Sequence, residues 1–360
     1  MKREVIKTYH PIGQGAFVSE RHDNFNVVYD CGVDWPNRGS KYVNQLVKNS
    51  FKKGAKIDIL FISHYDYDHI SKIPILQANF YIKKIVLPLL TSDEKHLLVE
   101  LYKGIGITED IQNIINNPDD YFSDSQVIQV EPFTEEDITD AIIEFDELND
   151  GQIKSGTKLR HEFWEYIPFN LEITNRRKQL EALLKAQGFD INELKTGFKY
   201  SERTRKKLKT IYEKLKGDIN RNSMILYSGP FNSTNERIYF VDQICNFNFY
   251  HAHFSFSTNR ISSIYTGDSR MSDYDLAKIY KNEFDKVILF QIPHHGDITS
   301  FDRSQLTNKL LIGPINFGSK NKYGHPSNNV VIELVKDNHH PRFVTENPNS
   351  IFIAKIEYDA

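Results

Sequence analysis

The chain has 360 residues and a formal net charge of -3, and 39% of its residues are hydrophobic. These values are typical of an ordinary globular protein with one large core or two smaller ones, and they argue against broad coating of nucleic acid. No apolar run approaches the roughly 20 residues that span a bilayer, and no apolar segment follows the basic N-terminus, so neither membrane association nor a secretory signal is predicted. Two cysteines make no disulfide framework, which predicts a cytoplasmic protein.

The first 62 residues are predicted to form strands, a helix and a further strand. Residues 25–30 have the composition of a strand, which ends at Asp30. Residues 41–52 have the apolar spacing of a helix, and residues 57–62 form a mostly apolar run that is typical of a buried strand. The predicted order is therefore β-β-α-β.

The stretch after this strand carries four metal-ligand side chains within six residues. They are His64, Asp66, Asp68 and His69. Any one of them alone would fit a polar surface loop, but four such groups at the carboxyl end of a buried strand can converge on one or two metal ions. Imidazole and carboxylate ligands together suit Zn, Mn or Fe better than Mg alone. The stretch therefore predicts a metal site.

Between about residues 91 and 217 the pattern changes to helical periodicity, and charge is segregated along the chain. Residues 104–153 contain fourteen Asp or Glu and no Lys or Arg, whereas residues 195–216 contain nine Lys or Arg and two Glu. Two interpretations stay open. Either both blocks are solvated helix faces, or the basic block lines a path for nucleic acid. If the chain is a non-catalytic subunit, the acidic block would be a docking surface for a partner protein.

Strand patterns return after residue 222, and three predicted strands are followed by reactive side chains. The first ends in T-G-D at residues 266–268, the second runs into P-H-H-G at 293–296, and the third leads to Y-G-H-P at 323–326. An amphipathic helix over residues 328–336 and two strands follow. Both halves of the chain are thus rich in strands that are flanked by helices.

With these motifs in view, the chain resembles the metallo-β-lactamase superfamily and, within it, the soluble hydrolase domain of ComEC-type DNA-uptake proteins. The hallmark H-x-H-x-D-H stands here as H-x-D-x-D-H at residues 64–69. The resemblance covers about residues 1–90 and 220–360, and residues 91–219 look like a mainly helical insertion. It implies an α+β fold, a four-layered αββα sandwich with the site at one edge.

The resemblance also implies two divalent metal ions. His64 and Asp66 would hold the first ion, Asp68 and His69 would hold the second, and Asp268 would bridge them. The native metal stays open between Zn and Mn, with Mg also possible. Asp30 matches the aspartate that the superfamily carries after its early strands.

The remaining ligands are less determined by the resemblance. Either His294 or His295 would complete the second site, and His295 is preferred. Most members bring a third histidine to the first metal from the place that Asn222-Ser223 occupies here, and an oxygen-rich first site favours Mn or Mg over Zn. His251 and His253 either replace that ligand or are surface histidines of a hairpin.

Two metal ions can activate a water molecule and stabilise the entering and leaving oxygens of a phosphodiester. Asp68 or Asp268 could orient that water, and His325 could protonate the leaving oxygen. Contacts with the substrate are expected from Asn222, Ser223, Lys320, Lys322 and Tyr323. The sequence therefore favours a metal-dependent phosphodiesterase or nuclease acting on DNA or RNA. The alternatives are a hydrolase of small esters, lactones or thioesters, and a non-catalytic subunit that binds a partner protein.

Overall fold

A computed structural model describes most of the chain. It covers residues 1–34, 40–134, 139–171, 223–242, 251–257, 260–307 and 309–360, and between 182 and 208 it covers residues 182, 184–186, 188, 189, 201, 203, 204, 207 and 208. The side chains of residues 93, 97, 241, 242 and 251–257 are outside this description.

The strands form two sheets. In chain order the strands are β1 (Lys2–Tyr9), β2 (Phe17–Arg21), β3 (Asn26–Cys31), β4 (Lys56–Phe61), β5 (Tyr81–Pro88), β6 (Gln126–Val130), β7 (Ile142–Glu144), β8 (Gly151–Ile153), β9 (Lys158–His161), β10 (Trp164–Asn170), β11 (Met224–Pro230), β12 (Thr234–Asp242), β13 (His251–Ser257), β14 (Ser262–Tyr265), β15 (Val287–Phe290), β16 (Ile312–Asn316), β17 (His340–Val344) and β18 (Phe352–Asp359). The first sheet has the order β13-β12-β18-β1-β2-β3-β4-β5-β6-β8, and the second has the order β17-β16-β15-β14-β11-β10-β9-β7.

The predicted helix over residues 328–336 is confirmed, and the one predicted over residues 41–52 ends at Lys48. In chain order the helices are α1 (Lys41–Lys48), α2 (Tyr67–Ile70), α3 (Ile73–Asn79), α4 (Ser92–Ile105), α5 (Glu109–Asn116), α6 (Pro118–Tyr121), α7 (Leu276–Tyr280), α8 (Asn282–Asp285) and α9 (Asn328–Lys336). The longest, α4, begins with a capping box between Thr91 and Glu94 and ends at Gly106 in the left-handed conformation. Across the described ranges, no helix has both the length and the apolar character needed to cross a membrane.

Three hydrophobic clusters separate four layers. The first packs α1 and α3–α5 on the outer face of the first sheet, the second lies between the two sheets, and the third packs α7–α9 on the outer face of the second sheet. Strand β4 shows how one segment serves two clusters, because Leu60 faces the helices while Ile59 and Phe61 face the other sheet. The predicted αββα sandwich is confirmed.

The expectation of helical structure from residue 91 to 217 is wrong for residues 126–170. This segment forms five strands, β6 to β10, which extend both sheets. All seven residues of β10 are buried, and β10 pairs with β11 along its whole length. The apolar runs of β6 and β10 are short and stand among acidic residues, so the acidic composition hid a strand pattern. Whether residues 91–219 are a separate domain stays a prediction.

The basic stretch at 195–216 lies mostly outside the described residues. Of its members only residues 201, 203, 204, 207 and 208 are described. Its predicted role as a path for nucleic acid therefore stays a prediction, as does docking of a partner protein on the acidic residues before it.

A buried ion pair joins the two sheets at their centre. Lys7 of β1 and Glu20 of β2 are 0% and 2% exposed, and Lys7 Nζ lies 2.8 Å from Glu20 Oε1. Lys7 also donates hydrogen bonds to the hydroxyls of Ser228 at 3.0 Å and Ser263 at 2.8 Å, both in the second sheet. Tyr166 donates to Glu20 at 2.9 Å. These contacts fix the position of one sheet relative to the other.

The carboxyl ends of the parallel strands meet at one edge of the sandwich. In the first sheet β3 and β4 are parallel, and in the second β14, β15 and β16 are parallel. Ligands of α/β proteins commonly bind outside the carboxyl ends of parallel strands. The motif at 64–69, Asp268, the histidine pair at 294–295 and His325 each follow one of these strands.

Candidate metal centre

The residues of the 64–69 motif follow β4. They form a loop and then the short helix α2. Asp66 is the N-cap residue of α2, and Asp68 and His69 lie within that helix. Together with His64 these side chains are 4% exposed or less. The backbone of Asp68 and His69 passes against Gly32, where a Cβ atom would come within 2.5 Å of it. Only glycine at this position allows the motif to pack on the loop after β3.

Asp268 lies in the middle of four histidine rings. Oδ1 of its carboxylate is 3.2 Å from Nε2 of His69 and 3.7 Å from Nε2 of His295. Oδ2 is 3.7 Å from Nε2 of His294 and 3.9 Å from Nε2 of His64. All five side chains are 5% exposed or less. Four imidazoles from two sheets therefore point the same ring atom at one carboxylate.

The two histidines of the motif are fixed through their other ring nitrogen, Nδ1. That of His69 lies 2.8 Å from Oδ2 of Asp30, which is fully buried. That of His64 lies 2.9 Å from the hydroxyl of Ser63 and 3.3 Å from the hydroxyl of Ser223. Partners of this kind set the orientation of the ring and leave Nε2 as the atom that a metal would bind.

The adjacent histidines after β15 have the same arrangement. Nδ1 of His294 lies 3.1 Å from the hydroxyl of Ser300, and Nδ1 of His295 lies 2.7 Å from the backbone carbonyl oxygen of Asn316. A carbonyl oxygen can only accept, so Nδ1 of His295 carries the proton and its Nε2 has a lone pair.

The donor set fits a divalent metal ion. One ligand atom from each of Asp68, His69, Asp268 and His295 lies within 4.8 Å of the others. The Nε2 atoms of His69 and His295 are buried and, within the described part of the chain, make no hydrogen bond. Nε2 of His295 instead lies 3.3 Å from Oδ2 of Asp68. Two imidazoles and two carboxylates are a ligand set that Zn and Mn accept.

The electrostatics of the cluster favour positive charge at its centre. Burial lowers the pKa of His69, but Asp268 and Asp30 outweigh it and raise the pKa well above the ordinary value. Burial raises the pKa of Asp268, but His69, His295 and His294 outweigh it and hold the pKa well below the ordinary value. A bound cation would supply the same positive charge.

His325 lies beside the histidine pair, on the loop after β16. Its ring centre is 5.4 Å from that of His294 and 6.2 Å from that of His295, and its Nε2 lies 3.9 Å from Oδ1 of Asp297. Burial, followed by the charges of His295 and His294, lowers the pKa of His325 to about 4. The ring is therefore neutral at neutral pH. Its side chain is 11% exposed, at the rim of the centre.

Ser223 contacts the ligands themselves. It is fully buried, and besides its contact with His64 its hydroxyl accepts a hydrogen bond from the backbone N–H of Asp268 at 3.2 Å. Its expected contact with the substrate stays a prediction. Asn222, with which it was paired in the sequence, lies outside the described residues.

The other predicted substrate contacts lie on the exposed loop after β16. Lys320 and Lys322 are exposed, and Tyr323 is 42% exposed with its ring centre 5.7 Å from that of His325. This loop borders a surface cavity of about 640 Å³, which is lined by Ser319, Asn321, Gly324, His325, Pro326, Ser327, Asn328 and Asn329. The lining is polar, and substrate binding by the two lysines stays a prediction.

Sequence reasoning missed several residues that hold the site together. Asp297 accepts a hydrogen bond from the Ser300 hydroxyl at 3.1 Å and lies 3.7 Å from Nδ1 of His294, so it stands between His294 and His325. Its position directly after P-H-H-G was the one available signal. Ser300 and Asn316 have no such signal, because single polar residues in loops or at strand ends form no pattern.

The suggestion that His251 or His253 replaces a ligand is not supported. Both belong to β13, the outermost strand of the first sheet, and five other strands separate β13 from β4. The alternative, that these histidines belong to a hairpin, agrees with the pairing of β13 with β12.

Part of the chain matches the model of a known protein family. Residues 16–145, which include the motif at 64–69, match the family model described as the metallo-beta-lactamase superfamily. No curated protein matches the chain. The metallo-beta-lactamase fold protein YhfI from Bacillus subtilis is similar in structure, with 9% identity and a TM-score of 0.41 over 98% of this chain and 99% of that one. A long form of RNase Z from yeast is 13% identical, with a TM-score of 0.26, over 94% of this chain and 34% of that one.

The family match over residues 16–145 and the donor cluster together support a metal-dependent hydrolase that binds divalent metal. The special likeness to ComEC-type proteins stays a prediction, and so does the cytoplasmic location.

Proposed function

We propose that this chain is a metal-dependent phosphodiesterase that cleaves DNA or RNA. The observation that carries the proposal is the position of the Asp268 carboxylate, which has imidazole Nε2 atoms facing each of its two oxygens. A carboxylate that has nitrogen donors on both oxygens is suited to bridge two cations, and two-cation sites are common in phosphodiester hydrolysis.

The surroundings of the centre suit a phosphodiester with an extended leaving group. The cavity of about 640 Å³ beside His325 has amide and hydroxyl groups in its lining, which can bind a sugar or base. Lys320 and Lys322 are exposed on the same loop and would attract the flanking phosphates.

Divalent cations held by these residues would lower the pKa of a bound water molecule and neutralise charge on the phosphate. The protein supplies the proton transfers. Asp68, whose Oδ2 lies 3.3 Å from Nε2 of His295, is suited to orient the attacking water. His325 is neutral at rest, so it can take the proton that the water releases and return it to the leaving oxygen. Asp297, 3.9 Å from His325 Nε2, would stabilise the protonated ring.

The test is cleavage of single-stranded and double-stranded DNA and of RNA by the purified chain with Mn or Zn added. We expect metal-dependent cleavage that Asp68→Asn lowers by more than about 100-fold, because loss of a ligand should exceed the effect of losing a residue that only orients a ligand. Asp124→Asn is the matched control, since Asp124 is an exposed carboxylate on the loop before β6.

Bound metal without cleavage of any nucleic acid would overturn the proposal. Hydrolysis of small esters, lactones or thioesters by the same metal-loaded protein would then assign it to the second class that the sequence left open. Absence of bound metal would favour the non-catalytic subunit.

A further inference from the structure

We propose that Asn321 is a positioning residue for His325. Its side chain holds the loop after β16, residues 317–327, in the shape that places the His325 ring beside the metal centre. We call this segment the His325 loop. The inference rests on the role of His325 in the proposed function, because a residue that acts through His325 affects catalysis only if His325 takes part in it.

The His325 loop is tied to neighbouring elements at both ends. Near its start the backbone N–H of Ser319 donates to Oε2 of Glu346 at 2.9 Å, in the loop after β17. At its end the N–H of Ser327 donates to the carbonyl oxygen of Gly296 at 2.9 Å, in the turn that holds the adjacent histidines. These contacts fix where the loop begins and ends, but they do not fix the path of its middle.

The middle of the loop is organised by the side chain of Asn321, which makes four hydrogen bonds to backbone groups. Nδ2 donates to the carbonyl oxygens of Gly318 at 2.7 Å and His325 at 2.6 Å. Oδ1 accepts from the N–H groups of Tyr323 and His325, each at 3.0 Å. Both backbone polar groups of His325 are therefore bonded to one side chain, and the loop folds back on itself around that side chain.

The hydrogen bonds of Asn321 leave no part of its amide for a substrate. Carbonyl oxygens can only accept and backbone N–H groups can only donate, so the positions of Nδ2 and Oδ1 are determined. An amide has two N–H donors and two acceptor lone pairs, and the loop uses all four. Although Asn321 borders the surface cavity beside His325, its contribution is therefore to the shape of the loop.

The direction of the His325 ring depends on its backbone. Nδ1 of His325 is buried and makes no hydrogen bond to the described residues, and Nε2 lies 3.9 Å from Oδ1 of Asp297, beyond hydrogen-bond distance. The ring of His295, by contrast, is held through Nδ1, which lies 2.7 Å from the carbonyl oxygen of Asn316. Since the His325 ring has no comparable contact within the described part of the chain, its position follows from the backbone that Asn321 holds.

The test is a double-mutant cycle on cleavage of single-stranded DNA with Mn, which compares wild type, Asn321→Ala, His325→Ala and the double variant. We expect Asn321→Ala to lower kcat by about 10–100-fold at nearly unchanged KM, because a displacement of about 1 Å can cost 100-fold in rate. In the His325→Ala background the same change should lower kcat by less than about 3-fold, since the two residues act as one unit. Asn113→Ala, at an exposed asparagine of α5, is the matched control.

Asn321→Asp tests the two donated hydrogen bonds at constant size. A carboxylate still accepts from the N–H groups of Tyr323 and His325, but it turns an oxygen toward the carbonyl oxygens of Gly318 and His325. These oxygens repel one another, so we expect a loss of kcat as large as that of Asn321→Ala, and Asn113→Asp is the control. Wild-type kcat in Asn321→Asp would overturn the inference.

The cycle also has outcomes that contradict a positioning role. Equal losses in both backgrounds or no loss in Asn321→Ala would overturn the inference. A raised KM at unchanged kcat would also overturn it and would assign Asn321 to substrate binding.

Hydrogen exchange of the full chain tests the same role without an activity. The N–H groups of Tyr323 and His325 should lose protection in Asn321→Ala, while those of α9 keep theirs and show that the variant is folded. Unchanged protection of the two N–H groups would overturn the inference. A wild type that cleaves no nucleic acid would overturn the proposed function, and the exchange measurement would then decide by itself whether Asn321 holds His325.

Discussion

The metal centre and the Lys7–Glu20 pair are both charged and both buried, yet they differ in what surrounds the charge. Lys7 Nζ has three polar partners from both sheets, and Glu20 accepts from the hydroxyls of Tyr166 and Ser228. In the metal centre, by contrast, imidazole nitrogens converge on a carboxylate at 3.2–3.9 Å, and two of them make no hydrogen bond to the described residues.

This difference separates a structural cluster from a functional one. Buried polar groups in folded proteins are normally hydrogen-bonded, so a cluster with every group paired can be explained by packing alone. A cluster in which imidazole nitrogens and carboxylate oxygens converge at one point is suited to hold a cation between them. The paired cluster lies in the middle of the sandwich, and the converging one lies where strands end and loops are long enough to bring ligands together.

The largest effect expected from this comparison is on stability. Lys7→Met leaves Glu20 buried without its cation, and breaking a buried pair in this way costs about 3–5 kcal/mol. Urea unfolding measures the loss, and metal content should stay at the wild-type value. Lys7→Met combined with Glu20→Gln should be less destabilising than Lys7→Met alone. A loss below about 1 kcal/mol for Lys7→Met would mean that the pair does not join the sheets.

A smaller effect is expected at the metal centre. Asp30→Asn removes the charge that accepts the hydrogen bond of His69 Nδ1 at 2.8 Å. Partners of this kind typically change metal affinity by about 10–100-fold. Competition with a chelator measures the affinity, and Asp23→Asn is the control, because the Asp23 side chain is 54% exposed. An unchanged metal affinity in Asp30→Asn would show that the orientation of the His69 ring does not depend on the Asp30 carboxylate.

The smallest effect is the dependence of stability on pH. Burial raises the pKa of Glu20, but the charge of Lys7 and the contacts with His22 outweigh it, so the pKa lies below the ordinary value of 4.5. The resulting stabilisation is fully present above pH 4.5 and is lost as the pH falls toward the folded-state pKa.

Below pH 4.5 the stability of the wild type should therefore fall more steeply than that of Glu20→Gln, by at most about 1.4 kcal/mol per pH unit. Urea unfolding at a series of pH values gives both slopes. The carboxylates of the metal centre titrate in both proteins, so their contribution cancels. Parallel slopes would contradict the lowered pKa.

The sequence predicts the metal centre better than the paired cluster, and the reason is physical. His64, Asp66, Asp68 and His69 have a spacing that only ligands explain, and they follow an apolar strand. Lys7 and Glu20 stand singly in strands whose neighbouring residues alternate, so each resembles an ordinary solvated position. Only the packing of the second sheet on the first buries them.

The orientation of the His294 and His295 rings is beyond the reach of sequence patterns for a different reason. Adjacency says that two rings are near, but the direction of each ring depends on the left-handed φ of both residues. Similarly, Lys281, which has a φ of 48°, separates α7 from α8. The spacing of apolar residues along the sequence gives no information about a residue that adopts a positive φ.

The position of β18 also determines when the first sheet can form. This strand pairs with β1 on one side, from Lys2 opposite Asp359 to Tyr9 opposite Phe352, and with β12 on the other. Among the described strands, the hairpin of β12 and β13 is joined to the rest of that sheet through residues 352–359. During synthesis β1 and β12 each keep one edge unpaired until these residues leave the ribosome. Pairing between strands so distant in the chain is slow, and exposed edges invite association with other chains in the interval.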